Sequence, residues 1–149
     1  MTATDVPLVR DLPFRPLVTI EPEASLRIAA RTMRQEGVSA LVVGTPGALV
    51  TILTERDVTA AVADGRAPDT LTAELATPRP ATVDRDATVV AAAARMLDEG
   101  VRHLVVVQGG RAVGVVSIRD LLAVLLQAFP PEGVLLLVGG FGERVRWPR

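Results

Sequence analysis

The 149-residue sequence has no cysteine, no lysine, no asparagine and no tyrosine, and aromatic residues make up only 3% of it. Without cysteine there are no disulfides and no thiolate metal sites. This suits a reducing compartment, and a cytoplasmic location is expected. Charge of one sign is also lacking. All 16 basic residues are Arg, 17 residues are acidic, and the formal net charge is −1. No overall field therefore draws the chain to nucleic acid or to anionic lipid, and scarce aromatics argue the same way against nucleic acid. The abundance of Ala, Val and Arg reads as a compositional bias without functional meaning.

Long apolar runs are missing too. The most apolar stretch, Leu121 to Gly140, is interrupted by Gln127, Pro130, Pro131 and Glu132. A membrane span needs about 20 predominantly apolar residues, so none is expected. Met1 to Val9 combines no basic start with an apolar core, which predicts no secretory leader. A nucleophile–base pair, a phosphate-binding glycine loop and a metal-ligand cluster are all absent from the pattern. The chain therefore reads as non-catalytic, with no obligatory cofactor.

What is present is a repeat. At a constant offset of 63 residues, the distance from Gly37 to Gly100, Met33-Arg34-Gln35-Glu36-Gly37-Val38 answers to Met96-Leu97-Asp98-Glu99-Gly100-Val101. Leu41-Val42-Val43 answers to Leu104-Val105-Val106, and Arg56-Asp57 to Arg119-Asp120. Internal repeats of this kind define the architecture. Each unit begins with a short strand (Leu17 to Ile20; Ala81 to Val83). Ser25 or Thr88 then stands where a helix N-cap is wanted. A helix follows over Leu26 to Glu36 and over Val89 to Glu99, and Gly37 and Gly100 stop it. In the first helix, Leu26, Ala29, Ala30 and Met33 recur at helical spacing and should face the sheet. Two apolar strands joined by a Gly-bearing turn come next (Ala40 to Val43 and Ala48 to Leu53; Leu104 to Val107 and Ala112 to Val116). A second helix then begins near Thr54 or Ser117.

The unit is thus β-α-β-β-α. One such unit of about 60 residues buries little surface alone, so the two are expected to pack face to face around one shared core. The expected organisation is an N-terminal segment with the first repeat (residues 1–70), the second repeat (71–128) and a tail (129–149).

Thr54-Glu55-Arg56-Asp57 and its copy Ser117-Ile118-Arg119-Asp120 lie where a strand hands over to a helix. Free backbone N–H groups and the helix dipole favour an anion there. The hydroxyl can donate to an oxygen, and an Asp one turn in can accept both hydrogens of a ribose diol. The same Ser/Thr-x-x-Asp pattern is also a capping box, in which both side chains satisfy the helix's own N–H groups. The residues alone leave both readings open.

The tandem repeat, the Gly-Val-Ser-Ala-Leu-Val-Val and Gly-Val-Arg-His-Leu-Val-Val segments and the Thr/Ser-x-Arg-Asp endings resemble the CBS-domain family, from about Val9 to Gln127. The resemblance implies an α/β (α+β) fold of two CBS repeats about a pseudo-twofold axis, a Bateman module. It also implies a regulatory role exercised by an adenosine-containing ligand (AMP, ADP, ATP or S-adenosylmethionine) in the clefts between repeats. Asp57 and Asp120 would hold the ribose, and Thr54 and Ser117 would touch ribose or phosphate. Ile52 and Val115 would flank the base, with Val18 and Ala81 offering backbone to the adenine edge. Val38 and Ser39, and Val101 and Arg102, would close the pocket. Arg102, His103 and Arg119 are candidates to neutralise a phosphate, and Arg56 is the first-repeat counterpart of Arg119. His103 reads equally well as a strand residue satisfied by a neighbour.

Crossed sites are expected: Asp120 with Val18 and Ser39, and Asp57 with Ala81 and Arg102. Family members often carry Met-Thr or Met-Ser ahead of the first strand. Here the positions read Pro13-Phe14 and Ala76-Thr77, so only Thr77 supplies that hydroxyl. The apolar run Leu121 to Leu126 suggests a homodimer, as in other CBS pairs. Val134 to Val138 could form a further strand, and Arg144, Arg146, Trp147 and Arg149 make a basic end. The alternative to a nucleotide sensor is a ligand-free structural or protein-interaction module that regulates a partner.

Overall fold

A computed structural model describes residues 6–13, 17–45 and 51–128 of the chain. The expected strand Val134 to Val138 and the basic end lie outside them, as do positions 48–50 of the third expected strand. The fold is mixed α+β, with two small sheets.

The first sheet has the order β1 (Thr19–Ile20), β2 (Ala40–Val43), β3 (Thr51–Thr54), β4 (Thr77–Pro78). The second has the order β5 (Thr82–Asp84), β6 (His103–Gln108), β7 (Arg111–Ser117). In each repeat the first strand pairs parallel to the second, and the second antiparallel to the third. A parallel pair needs a crossover, supplied by α1 (Leu26–Glu36) in the first repeat and α4 (Val89–Glu99) in the second.

Both crossover helices are closed at both ends by their own sequence. Ser25 Oγ accepts the Ile28 N–H at 3.2 Å, and Thr88 Oγ1 accepts the Ala91 N–H at 3.1 Å. Gly37 (φ 64°) and Gly100 (φ 63°) end them in the left-handed conformation. Leu26, Ala29 and Met33 are buried, as are Val89, Ala92 and Met96. Ala30, expected on the same face, is exposed. The turn between β6 and β7 is Gly109-Gly110, both with positive φ (55° and 76°), the pattern that two-residue hairpins favour.

The helices after the hairpins are α2 (Glu55–Ala63) and α5 (Ile118–Ala128), with the short α3 (Thr72–Leu75) in the connection. The segment ahead of each repeat docks on the other repeat. Leu8, beginning a 3-10 turn over Val9–Asp11, bridges to Thr88, and Leu71 bridges to Ser25. Leu8 and Leu71 are themselves one repeat apart, so the exchange follows the pseudo-twofold relation.

The core follows the same logic. Val9 and Leu12 join Met96, Leu104, Val116 and Leu121 in the cluster of the second repeat. Leu75 and Ala76 pack on Met33, Leu41 and Leu53 in the first. A third cluster, Ala40, Ile52 and Val105, joins the two sheets. The single shared core expected from size is therefore two cores and a junction. Each sheet has a helix-covered face that must be filled before its other face meets its twin.

Candidate functional site

The two strand-to-helix junctions face one cleft of about 850 Å³ between the repeats. This is within the range of about 300–1,000 Å³ usual for small-molecule pockets. Every candidate residue named from the sequence lines it. From the first repeat these are Val18, Val38, Ser39, Ile52, Thr54, Arg56 and Asp57. Thr77 and Ala81 come from the connection and the entry to β5, and Val101, Arg102, His103, Val115, Ser117, Arg119 and Asp120 from the second repeat.

The register explains the convergence. Ala40 pairs with Thr54 and His103 with Ser117, so the loop before each central strand lies beside the junction at the end of its partner. The Glu55 N–H donates to the Ser39 carbonyl and the Ile118 N–H to the Arg102 carbonyl, both at 3.0 Å. Thr77 pairs with Ile52, which lays the lead-in to the second repeat against β3 of the first.

Both acidic residues are capping residues. Asp57 Oδ2 accepts the Thr54 N–H at 2.8 Å and its hydroxyl at 2.9 Å. Asp120 Oδ2 accepts the Ser117 N–H at 2.7 Å and its hydroxyl at 2.8 Å. Each box is completed by the Asp N–H donating back to the hydroxyl oxygen, at 3.3 Å and 3.4 Å. The capping reading of the motif is thus realised, but it occupies Oδ2 alone. Oδ1 of each carboxylate has no hydrogen-bond partner among the described residues, and both side chains are half-buried on the cleft.

The cations differ from one another. Arg56 donates to the Gly100 carbonyl at 3.2 Å, tying the start of α2 to the end of α4 in the other repeat. Arg102 and Arg119 are exposed and make no ion pair among the described residues. His103 is half-buried. Burial above all, with the neighbouring Arg102, holds its pKa below the ordinary 6.5 against the smaller opposing pull of Glu55, Asp120 and Asp57. It shares a 2.6 Å hydrogen bond with Ser39 across the repeats.

Sequence reasoning missed Arg34, Glu55, Arg79, Pro80 and Glu99, which also line the cleft. Arg34 and Glu99 gave no signal beyond an ordinary polar helix face. The Pro78-Arg79-Pro80 triplet was the signal for Arg79, because two prolines fix the backbone around it. No cluster of three metal-ligating side chains occurs among the described residues. No helix there is long and apolar enough to cross a membrane.

The family model for the CBS domain matches residues 9–64 and 73–127, the two repeats in turn. This chain belongs to the CBS-domain family. The CBS pair is 32% identical over 120 residues to the uncharacterised protein MK0525 of Methanopyrus kandleri, covering 78% of this chain and 61% of that protein. It thus spans about three-fifths of that curated relative's length. Among solved structures it resembles the CBS-domain-containing protein ATU1752 of Agrobacterium tumefaciens (TM-score 0.72, 29% identity, 78% of this chain and 97% of that one). It also resembles the CBS domain protein PAE2072 of Pyrobaculum aerophilum, solved in complex with AMP (TM-score 0.68, 29% identity, 91% of this chain and 99% of that one).

Proposed function

We propose that this CBS pair is a cytoplasmic, non-catalytic regulatory module that binds an adenosine-containing nucleotide in the cleft between its repeats. The observation that carries the reading is the pair of half-buried carboxylates. Each is fixed in place through Oδ2 by its own helix start and keeps Oδ1 for an outside donor such as a ribose hydroxyl. The AMP complex of PAE2072, a relative of the same fold, supports the ligand class. AMP, ADP, ATP and S-adenosylmethionine all carry the required ribose.

The register favours crossed sites. Thr77 beside Ile52 brings the Ala81 lead-in toward Asp57, and the Ser39–His103 bond brings the first repeat toward Ser117 and Asp120. A ligand in either half would therefore touch both repeats. It would shift their relative orientation to the extent that it binds one arrangement more tightly than another. The module is further read as a homodimer through the α5 face, where Leu122 and Leu126 are 50% and 53% exposed at helical spacing. Sedimentation of the purified chain tests this.

A thermal-shift panel with AMP, ADP, ATP and S-adenosylmethionine tests the main proposal. At a ligand concentration of about 100 Kd the stabilisation is about 2.7 kcal/mol, which is several degrees for a chain of this size. The Asp57→Ala, Asp120→Ala double variant should lose the shift. A second reading rests on the same caps: because the capping boxes already account for both acids, the cleft could serve only to join the repeats of a protein-interaction module. A panel with no shift for any adenosine compound favours that reading.

A further inference from the structure

We propose that Arg79 is a specificity-determining residue that contacts the phosphate chain on the Asp57 side of the cleft and favours nucleoside di- and triphosphates over the monophosphate. The inference rests on the nucleotide reading above.

Arg79 is the one non-glycine residue with positive φ among the described residues, at 54°. A β-carbon is disfavoured in that region, and the following Pro80 restricts the residue before it still further. Such a conformation persists only where the surroundings impose it, and strain of this kind gathers at ligand sites. Here the imposing elements are visible on both sides. Pro78 and Thr77 pair with Thr51 and Ile52 in the first sheet. Just beyond Pro80, the Ala81 carbonyl accepts the Val105 N–H of the second sheet at 2.9 Å. Arg79 is therefore held between two anchored stretches of backbone, at a position where glycine would be less strained.

The side chain is placed for an outside partner. Arg79 lines the cleft with Thr54, Asp57 and Arg102. It makes no hydrogen bond or ion pair with any described residue, whereas Arg56, on the same side, is committed to Gly100. Asp57 is half-buried and Arg79 exposed on the same cleft, so phosphates that extend toward solvent from a sugar at Asp57 would meet a guanidinium free to receive them. A guanidinium offers two parallel donors to phosphate oxygens, and each further phosphate adds an acceptor in its reach.

The test is calorimetric titration of the full chain, Arg79→Gln and Arg79→Gly with adenosine, AMP, ADP and ATP, alongside thermal unfolding of each protein without ligand. In both variants the ATP-to-AMP affinity ratio should fall about tenfold, while adenosine affinity changes by less than about twofold. Arg79→Gly should also unfold at a higher temperature than the unaltered chain, because the strain is relieved. A gain in stability together with a loss of phosphate preference separates ligand contact from a folding defect. An unchanged ratio in both variants, with AMP still bound, overturns this inference alone. If none of the four compounds binds the unaltered chain, the nucleotide reading falls and this inference falls with it.

Discussion

Ser39 Oγ and His103 Nε2 lie 2.6 Å apart across the two repeats, in a cleft that also holds Asp57 and Asp120. The bond sits where one repeat's central strand begins and the other's loop ends, so it joins the halves at the middle of the site. Burial and Arg102 depress the His103 pKa below 6.5, with Glu55, Asp120 and Asp57 opposing. The unfolded chain then binds a proton more readily than the folded one. Its contribution to stability is complete above about pH 6.5 and is lost progressively as pH falls from there toward the folded-state pKa. Thermal unfolding between pH 7.5 and 5 should show a fall in Tm for the unaltered chain that is shallower in His103→Gln. Parallel profiles would contradict this.

Thr72 is the one buried polar residue among those described, and its hydroxyl donates to the carbonyls of Glu21 and Pro22 at 2.8 and 3.1 Å. Its counterpart one repeat earlier is Val9, fully buried in the second-repeat core. Thr72→Val preserves shape and removes the donor to two carbonyls. It should cost about 1–2 kcal/mol by urea unfolding. A neutral result would mean that water or another donor replaces the hydroxyl.

Gly100 ends α4 at φ 63°, and a β-carbon built there meets nothing within 4 Å. The cost of Gly100→Ala is therefore conformational alone, about 1–2 kcal/mol. The same substitution would leave intact the carbonyl to which Arg56 donates. Loss of stability without loss of the α4 helical signal in hydrogen exchange is expected. An unchanged midpoint would contradict it.

The Asp57→Ala and Asp120→Ala variants should each lose stability by about 1 kcal/mol through the cap, independently of ligand. The two losses should add, since the sites belong to separate helices. A strong departure from additivity would show that the two caps are coupled through the cleft.

Much of the fold is legible in the sequence, because each crossover helix carries its start and stop in Ser25 and Gly37, or Thr88 and Gly100. The bounds of α1 and α4 follow from those four residues. The exposure of Ala30 is not legible, because alanine satisfies a helical period without requiring burial. Nor is β4, since two residues including a proline gain their pairing only from a sheet already assembled. The exchange of lead-in segments between repeats is a tertiary choice that leaves no local mark. The candidate residues come as a set from the resemblance to the CBS family, carried over onto both copies of the motif, and the strand register brings them to one cleft. The sequence cannot separate cap from ligand at Asp57 and Asp120, because one carboxylate oxygen serves the helix and the other remains over. His103 reads as a cation or a satisfied strand residue, and only the structure shows its burial, which lowers its pKa, and its Ser39 partner.

If Asp57 and Asp120 hold a sugar diol, AMP must bind more tightly than its 2′,3′-dideoxy analogue, and calorimetric titration of the two compounds measures the difference. Losing two charge-assisted hydrogen bonds should weaken binding by about tenfold or more, and the difference should vanish in the Asp57→Ala, Asp120→Ala variant. Equal affinity for the two compounds in the unaltered chain would contradict the claim.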